Sequence, residues 1–398
     1  MSGQSLPRRA IVLGLLIAVG AFAIDMYIPG FAAIGLDLHT DPGTVQLTMT
    51  SYFVALAIGQ VFYGPLSDAF GRKRPLYAGL LLFALASAAA AVAPSIETLI
   101  AARFIQGLGA AATAVVPLAV IRDEHTGPDA ARLLSLAMLS LSISPILAPA
   151  FGGFLVQFMS WRLIFAMLIV ITGLAAFMMA RLLPETLPPA RRVGAGPIRI
   201  LITYIGLIRN RQFIVPILIG ACAQAMLFTF ISGSPFVFVT LHRMPPMLYG
   251  LAFALHAAIL IGVSQLNAPM MRRFGLHRLV GGATIALCAA AFALASLVTL
   301  GLSALLPFML LTLTIFACLG LMMGPAFLAA MEPCGDNAGA AAAIGVALEL
   351  SLSSFSTFLL SLSSDGTARP MAILLAILAC GALAGWVLLI RTKSLSVA

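Results

Sequence analysis

Three formally charged side chains stand well inside otherwise apolar runs of this 398-residue sequence: Asp25, Arg103 and Glu349. An ionisable group in hydrocarbon costs several kcal/mol, so each needs a partner, a proton or a task. Asp25 and Arg103 have opposite sign. A carboxyl group that meets a cation in one state and loses it in another takes up and gives back a proton, because burial and a neighbouring cation act in opposite senses on its ionisation. The alternative for this pair is a static buried ion pair. Glu349, in Ala347-Leu348-Glu349-Leu350-Ser351, suits attraction of a cationic solute or a second proton site; alternatively it is a neutral acid hydrogen-bonded to Ser351 or Ser353. His256 is of a type that titrates near neutral pH, although a lone histidine in an apolar run also serves a local hydrogen bond.

The elements that must position these groups follow from composition. The chain is 62% hydrophobic and 9% charged, with mean hydropathy +1.10. A soluble domain is about a quarter charged, and surface-to-volume scaling leaves no interior large enough for this apolar content. A soluble enzyme, a disordered chain and a nucleic-acid reader are excluded, and a membrane protein with many spans remains. A span takes roughly 20 apolar residues. Twelve runs qualify: 11–33, 44–67, 75–93, 98–121, 131–157, 161–183, 213–238, 248–271, 278–300, 305–328, 336–361 and 370–391. No alternating barrel pattern is present, so the spans are helices. The first run has no small-residue cleavage site, so no cleavable signal peptide is expected.

The Pro- and Arg-rich stretch 184–212 reads as a cytoplasmic linker between an N-terminal six-helix bundle, 1–183, and a C-terminal one, 213–398. Residues 64–74 and 268–278 share Pro, Phe, Gly and a final Arg at an offset of 204, a faint internal repeat. The expected fold is therefore an all-α integral membrane protein, twelve transmembrane helices in two pseudo-symmetric halves. Many secondary transporters follow this plan, with the site near the midplane. With both termini in the cytoplasm, eighteen of the 22 Lys and Arg fall inside, three (Arg162, Arg243, Arg369) fall outside, and Arg103 lies within a span. That split accounts for the net charge of +9 without a nucleic-acid partner. Asp25 lies eight residues before the outer end of span one near Ala33, and Arg103 five residues after Thr98 at the outer start of span four. At about 1.5 Å per residue the two share a depth in the outer half, which would bring them within reach.

Other chemistries lack their residues. There is no GxxxxGK[ST] phosphate loop, no HExxH, and no channel filter. The five cysteines form no CxxC pair and read as packing residues. Neither Ser67 nor Ser144 has a His/Asp partner nearby in sequence. No enzyme activity, metal or cofactor is expected.

The segment Gly64-Pro65-Leu66-Ser67-Asp68-Ala69-Phe70-Gly71-Arg72-Lys73-Arg74 joins spans two and three. Gly71 suits a positive-φ turn and Gly64 a close helix approach. The segment resembles the signature loop of the major facilitator superfamily, G-x-L-S/A-D-x-x-G-R-K/R. That resemblance implies a conformational latch formed by Gly64, Asp68, Gly71, Arg72 and Asp123. In it Asp68 would face the N-terminus of span eleven, and Arg72 would pair with Asp123 at the end of span four. Ile24-Asp25-Met26-Tyr27-Ile28-Pro29, Val45-Gln46-Leu47-Thr48 and Pro184-Glu185-Thr186 resemble the bicyclomycin-resistance (Bcr/CflA-type) drug:proton antiporters. Arg103-Phe104-Ile105-Gln106-Gly107 is similar to their span-four R-x-x-Q-G motif. Ser144-Pro145-Ile146-Leu147-Ala148-Pro149-Ala150-Phe151-Gly152-Gly153 is similar to the span-five antiporter motif, carried by Pro145, Pro149, Gly152 and Gly153, with Ala148 in place of its first Gly. The resemblance implies proton-coupling roles for Asp25 and Arg103.

Tyr27, Gln46, Thr50, Phe53, Gln224, Phe228 and Glu349 form a candidate substrate wall, mostly apolar with a few polar groups, suited to small amphipathic drugs or metabolites. The function read from the sequence is proton-coupled efflux by alternating access, by a monomer in the bacterial inner membrane. The alternative is a symporter or uniporter of a native metabolite on the same fold.

Overall fold

The structure, a computed structural model, describes residues 6–124, 127–192, 197–302 and 304–394. Among these the chain is helical, with no strand. In hydrocarbon every backbone N–H and C=O must be satisfied within the segment, and a helix does this. The helices are α1 (Leu6–Asp25), α2 (Phe31–Asp37), α3 (Pro42–Phe70), α4 (Lys73–Ala91), α5 (Ile96–Glu124), α6 (Gly127–Phe158), α7 (Arg162–Leu182), α8 (Pro197–Arg209), α9 (Arg211–Pro235), α10 (Pro246–Ser264), α11 (Asn267–Phe274), α12 (Leu276–Thr299), α13 (Leu305–Met331), α14 (Ala338–Leu362) and α15 (Arg369–Ser394). Eleven candidate spans are long and apolar enough to cross a membrane, and the described apolar part of a twelfth, Ser144–Phe158 in α6, is shorter. The chain is a multi-pass membrane protein.

Local chemistry sets the ends. Asp41 accepts from Thr44 N at 3.0 Å and Pro42 opens α3, an N-cap with proline where no N–H is needed. Asn210 caps α9 through Gln212 N. Gly71 ends α3 with φ +86° and Gly275 ends α11 with φ +80°, a conformation that L side chains resist. These two glycines are the repeat positions 204 residues apart, so the same turn recurs in both halves of the sequence.

Three features differ from the sequence expectation. Span one is two helices, α1 and α2, joined through the 3-10 turn Ile28–Gly30. Span eight stops at Ser264, and the separate α11 carries Arg272 and Arg273. The linker stretch contains α8, whose Tyr204 and Leu207 are buried while Arg209 at its end is exposed; the prolines and arginines that precede it hide that helical period.

The chain divides into two compact units, Met1–Gly196 with Pro245–Ala254, and Pro197–Met244 with Leu255–Ala398. In the first, α5 packs between α3 and α4, and α1 packs on α6 and α7. In the second, α9 packs on α13, α14 and α15. Helices in lipid associate by close packing rather than by water exclusion, so small residues mark the seams. A Cβ added to Gly107 of α5 would lie 2.3 Å from Tyr52 O, and one on Gly109 would lie 2.6 Å from Gly79 O. Those neighbours are backbone and cannot swing away.

Gly107→Val should therefore abolish the monodisperse peak of detergent-extracted protein in size-exclusion chromatography. Gly64→Ala, with no atom within 4 Å of the new methyl, should keep it; a normal peak for Gly107→Val would contradict the packing of α5 on α3.

Candidate functional site

The site grows from the break in span one. Pro29 has no N–H, and its ring excludes the carbonyl four residues back, that of Asp25. The ladder shortens there: Tyr27 N donates to Ile24 O at 3.3 Å and Gly30 N to Tyr27 O at 3.0 Å. Asp25 is consequently the last residue of α1, 5% exposed, at a helix end within the apolar first unit. Its Oδ2 accepts a 3.0 Å hydrogen bond from Ser144 Oγ of α6. Gly152 lets α6 approach, since a Cβ there would sit 2.2 Å from Met26 O. Gly153 meets the backbone of Pro246 in the same manner, and Pro149 O lies 2.5 Å from where a Cβ on Gly250 would be; Pro246 and Gly250 belong to the stretch of α10 that clusters with this unit. Within the Ser144–Gly153 segment, the glycines fix backbone separation and Ser144 supplies the polar contact.

Arg103 of α5 is fully buried. Its guanidinium lies between two aromatic faces, 4.4 Å from the Tyr27 ring centroid and 4.3 Å from that of Tyr52. Each ring attracts the cation through its negative face. Both rings are anchored: Tyr27 Oη pairs with Thr48 Oγ1 at 2.8 Å, and Tyr52 Oη donates to Gly20 O at 3.0 Å. Nη1 donates to Gln106 Oε1, Gln106 Nε2 donates to Ser87 Oγ at 2.7 Å, and Ser87 donates to Phe83 O. Nη2 reaches Met49 Sδ at 3.2 Å. Arg103 Nε and the buried Gln46 Oε1 have no hydrogen-bond partner among the described residues.

Asp25 and Arg103 thus share the first unit, but no ion pair joins them among the described residues. In this arrangement the two do not pair: the carboxyl is bonded to Ser144 of α6, and the tyrosine faces hold the guanidinium. Of the candidate wall, Tyr27, Gln46, Thr50 and Phe53 lie in the first unit, all buried. Gln224, Phe228 and Glu349 lie in the second; Phe228 is buried, Gln224 and Glu349 half-buried. The hydroxyls of Ser351 and Ser353 donate to Ala347 O and Glu349 O, and neither is joined to the Glu349 carboxyl by a hydrogen bond among the described residues. His256 is buried, bonded to Thr312 Oγ1 at 2.9 Å and stacked near Phe230, an arrangement that meets a local hydrogen bond.

At the loop after α3, Arg72 makes ion pairs with Asp123 (Nε to Oδ2, 2.6 Å) and Asp68 (2.5 Å) and donates to Ser67 Oγ at 2.8 Å. The close approach expected at Gly64 is absent. Sequence reasoning missed Glu185 here. Its carboxylate accepts from the N–H groups of Arg72 (2.8 Å), Lys73 and Leu187, closing the N-terminus of α4. Burial pushes the Glu185 carboxyl up, but these N–H groups and Arg192 outweigh it and hold it below the ordinary carboxylate range. Also missed were Tyr52 and Ser87, which no local pattern marks, and Ser144 as the partner of Asp25, 119 residues away in sequence. The signal that could have found the break is Pro29, four residues after Asp25.

Two outcomes follow. Arg103→Lys keeps the charge but loses the flat stacking plane; at about 1–2 kcal/mol for the paired faces, the thermal midpoint in detergent should drop by about 2–4 °C, and no drop would mean the rings do not hold the cation. Because the Glu185 carboxyl is held low when folded, its stabilisation is present above the unfolded carboxylate value of about 4.3 and lost as pH falls through the lower folded value. The thermal-midpoint gap between the native chain and Glu185→Gln, about 1–2 °C after solvent screening, should exist at pH 7 and close on acidification.

A family model described as Major Facilitator Superfamily matches residues 13–357. An uncharacterized MFS-type transporter of Bacillus subtilis, YdgK, is 35% identical over 377 residues, covering 93% of this chain and 92% of that protein. The bicyclomycin resistance protein homolog of Haemophilus influenzae is 29% identical, covering 68% of each. Multidrug resistance protein D of Escherichia coli is 35% identical over 58% of this chain and 59% of its own length. Among solved structures, a D-xylose-proton symporter superposes with TM-score 0.75 at 16% identity, covering 95% of this chain and 96% of that one, a likeness of fold alone. Family model, near-full-length relative and helical architecture agree: the chain belongs to the major facilitator superfamily, a family of transporters and not enzymes, and its relatives include bicyclomycin-resistance and multidrug-resistance proteins.

Proposed function

We propose that the protein is a proton-coupled efflux antiporter of the bacterial inner membrane, exporting small amphipathic drugs or metabolites by alternating access, with both termini in the cytoplasm. Relatives named for multidrug resistance support export. The observation that carries the proton coupling is a buried carboxyl bonded to one hydroxyl at a helix break, in the same unit as a buried guanidinium that has no acid of its own.

A neutral carboxyl is accommodated by Ser144. A carboxylate in the same place needs a cation, because an ionised group without one is costly there. Arg103 supplies that cation in the reading proposed: ionised Asp25 turns toward Arg103, and protonated Asp25 returns to Ser144. Two arrangements of one pair then bias two packings of the surrounding helices. Proton uptake by Asp25 from the periplasm resets the carrier after export. No cofactor is needed beyond the proton gradient, and the working unit is a monomer.

Everted membrane vesicles with an imposed pH gradient test this reading. The native chain should accumulate substrate as protons leave the vesicle. Asp25→Asn should lower the gradient-driven rate at least tenfold, with folded yield within about twofold of native. Gradient-driven export by Asp25→Asn at the native rate would remove the carboxyl from coupling, and movement of proton and solute together would replace antiport by symport.

A further inference from the structure

In the second unit α9 and α14 run in step. Gly345 lies on Ile217, Glu349 on Gly220, Ser356 on Thr229 and Leu360 on Gly233, so partners keep a nearly constant offset along the two helices. Glu349 stands near the middle of the 25-residue α14. Its Oε1 occupies the space that a side chain at Gly220 would take: an added Cβ would be 2.8 Å from that oxygen and 4.0 Å from Cβ of Ala326 on α13. The missing side chain of Gly220 therefore makes the seat for the carboxyl.

No hydrogen bond or ion pair reaches this carboxyl among the described residues. Its serine neighbours are committed to backbone carbonyls. The described spans of the unit have no Lys or Arg in their interiors; Arg211, Arg278 and Arg369 stand at helix starts, and Arg272 and Arg273 lie on α11. His256 is bonded to Thr312 and packed against Phe230 and Phe316. The unit thus prepares a half-buried acid at mid-span and supplies no cation to neutralise it. Alanine at Gly220 would be a better helix former, yet it would close the seat.

We infer that Glu349, seated by Gly220, is a recognition point for the charged group of organic monocations, so that the solutes carried include amphipathic cations. This deepens the efflux reading and rests on it for the word carried, while recognition itself is measured without transport. The probes are tetraphenylphosphonium and the uncharged triphenylphosphine oxide, titrated against purified full-length protein in detergent at constant pH with no gradient. The native chain should bind the cation more tightly. Glu349→Gln should raise the cation Kd at least tenfold relative to the change in the neutral probe. Gly220→Ala should shift the ratio in the same sense, and Glu349→Asp should retain most of it, which separates recognition from a folding defect. Failure of the native chain to bind the cation, or equal shifts for both probes in Glu349→Gln, would overturn the inference; equal shifts would favour a proton site or a structural acid. The vesicle result for Asp25→Asn is independent of this outcome.

Discussion

A guanidinium buried in a membrane-spanning bundle without a carboxylate beside it is the constraint around which the first unit is arranged. Removing a cation from water costs several kcal/mol even after relaxation, and Arg103 recovers that cost from polarizable and dipolar groups instead of an anion. Two tyrosine faces, one amide oxygen and one thioether surround it. Each contributor is itself fixed by a second contact: Tyr27 by Thr48, Tyr52 by Gly20 O, Gln106 by Ser87. The network ties α3, α4 and α5 to the broken first span. The glycines of α5 belong to the same requirement, because the guanidinium reaches both rings only if α5 lies close against α3.

The break in span one meets a complementary requirement. A continuous helix would hold the residue-25 side chain on whatever face the helical period gave it. Pro29 ends that register, and α6 closes on the break through Gly152 so that Ser144 meets Asp25. Non-helical backbone is tolerated at membrane depth where protein covers it, and Ile28, Pro29 and Gly30 are all buried. The acid and the cation are thereby held in separate polar environments of one packed unit.

The fold was largely legible because it rests on a local property. Long apolar runs must be helices in lipid, and charged or proline-rich punctuation gave their ends to within a few residues; the prediction 305–328 became Leu305–Met331, and 278–300 became Leu276–Thr299. Short amphipathic pieces were not legible by the same rule. The prolines and arginines just before α8 read as linker and took α8 with them, although Tyr204 and Leu207 recur on one face. At the site, residue types were legible and pairings were not. Asp25 and Arg103 stand out because charge inside an apolar run is conspicuous. Ser144 and Tyr52 do not, because a hydroxyl or ring in a span is ordinary until the fold brings it beside a charge. Depth along a helix placed Asp25 and Arg103 at one level, but depth says nothing about the direction in which a side chain leaves a broken helix.

The two units solve the burial of charge in opposite ways. The first encloses a cation and satisfies it with neutral groups, keeping its own acid on a hydroxyl. The second seats an acid beside a glycine and, among the described residues, gives it no ion-pair partner. The first arrangement is self-sufficient, since ring faces and dipoles travel with the protein. The second leaves a half-buried carboxyl whose neighbouring serines donate to backbone carbonyls, with no hydrogen bond or ion pair to it among the described residues. Selection for stability alone would fill Gly220 and replace Glu349 with a neutral residue, because that exchange removes a charge from hydrocarbon and a glycine from a helix interior.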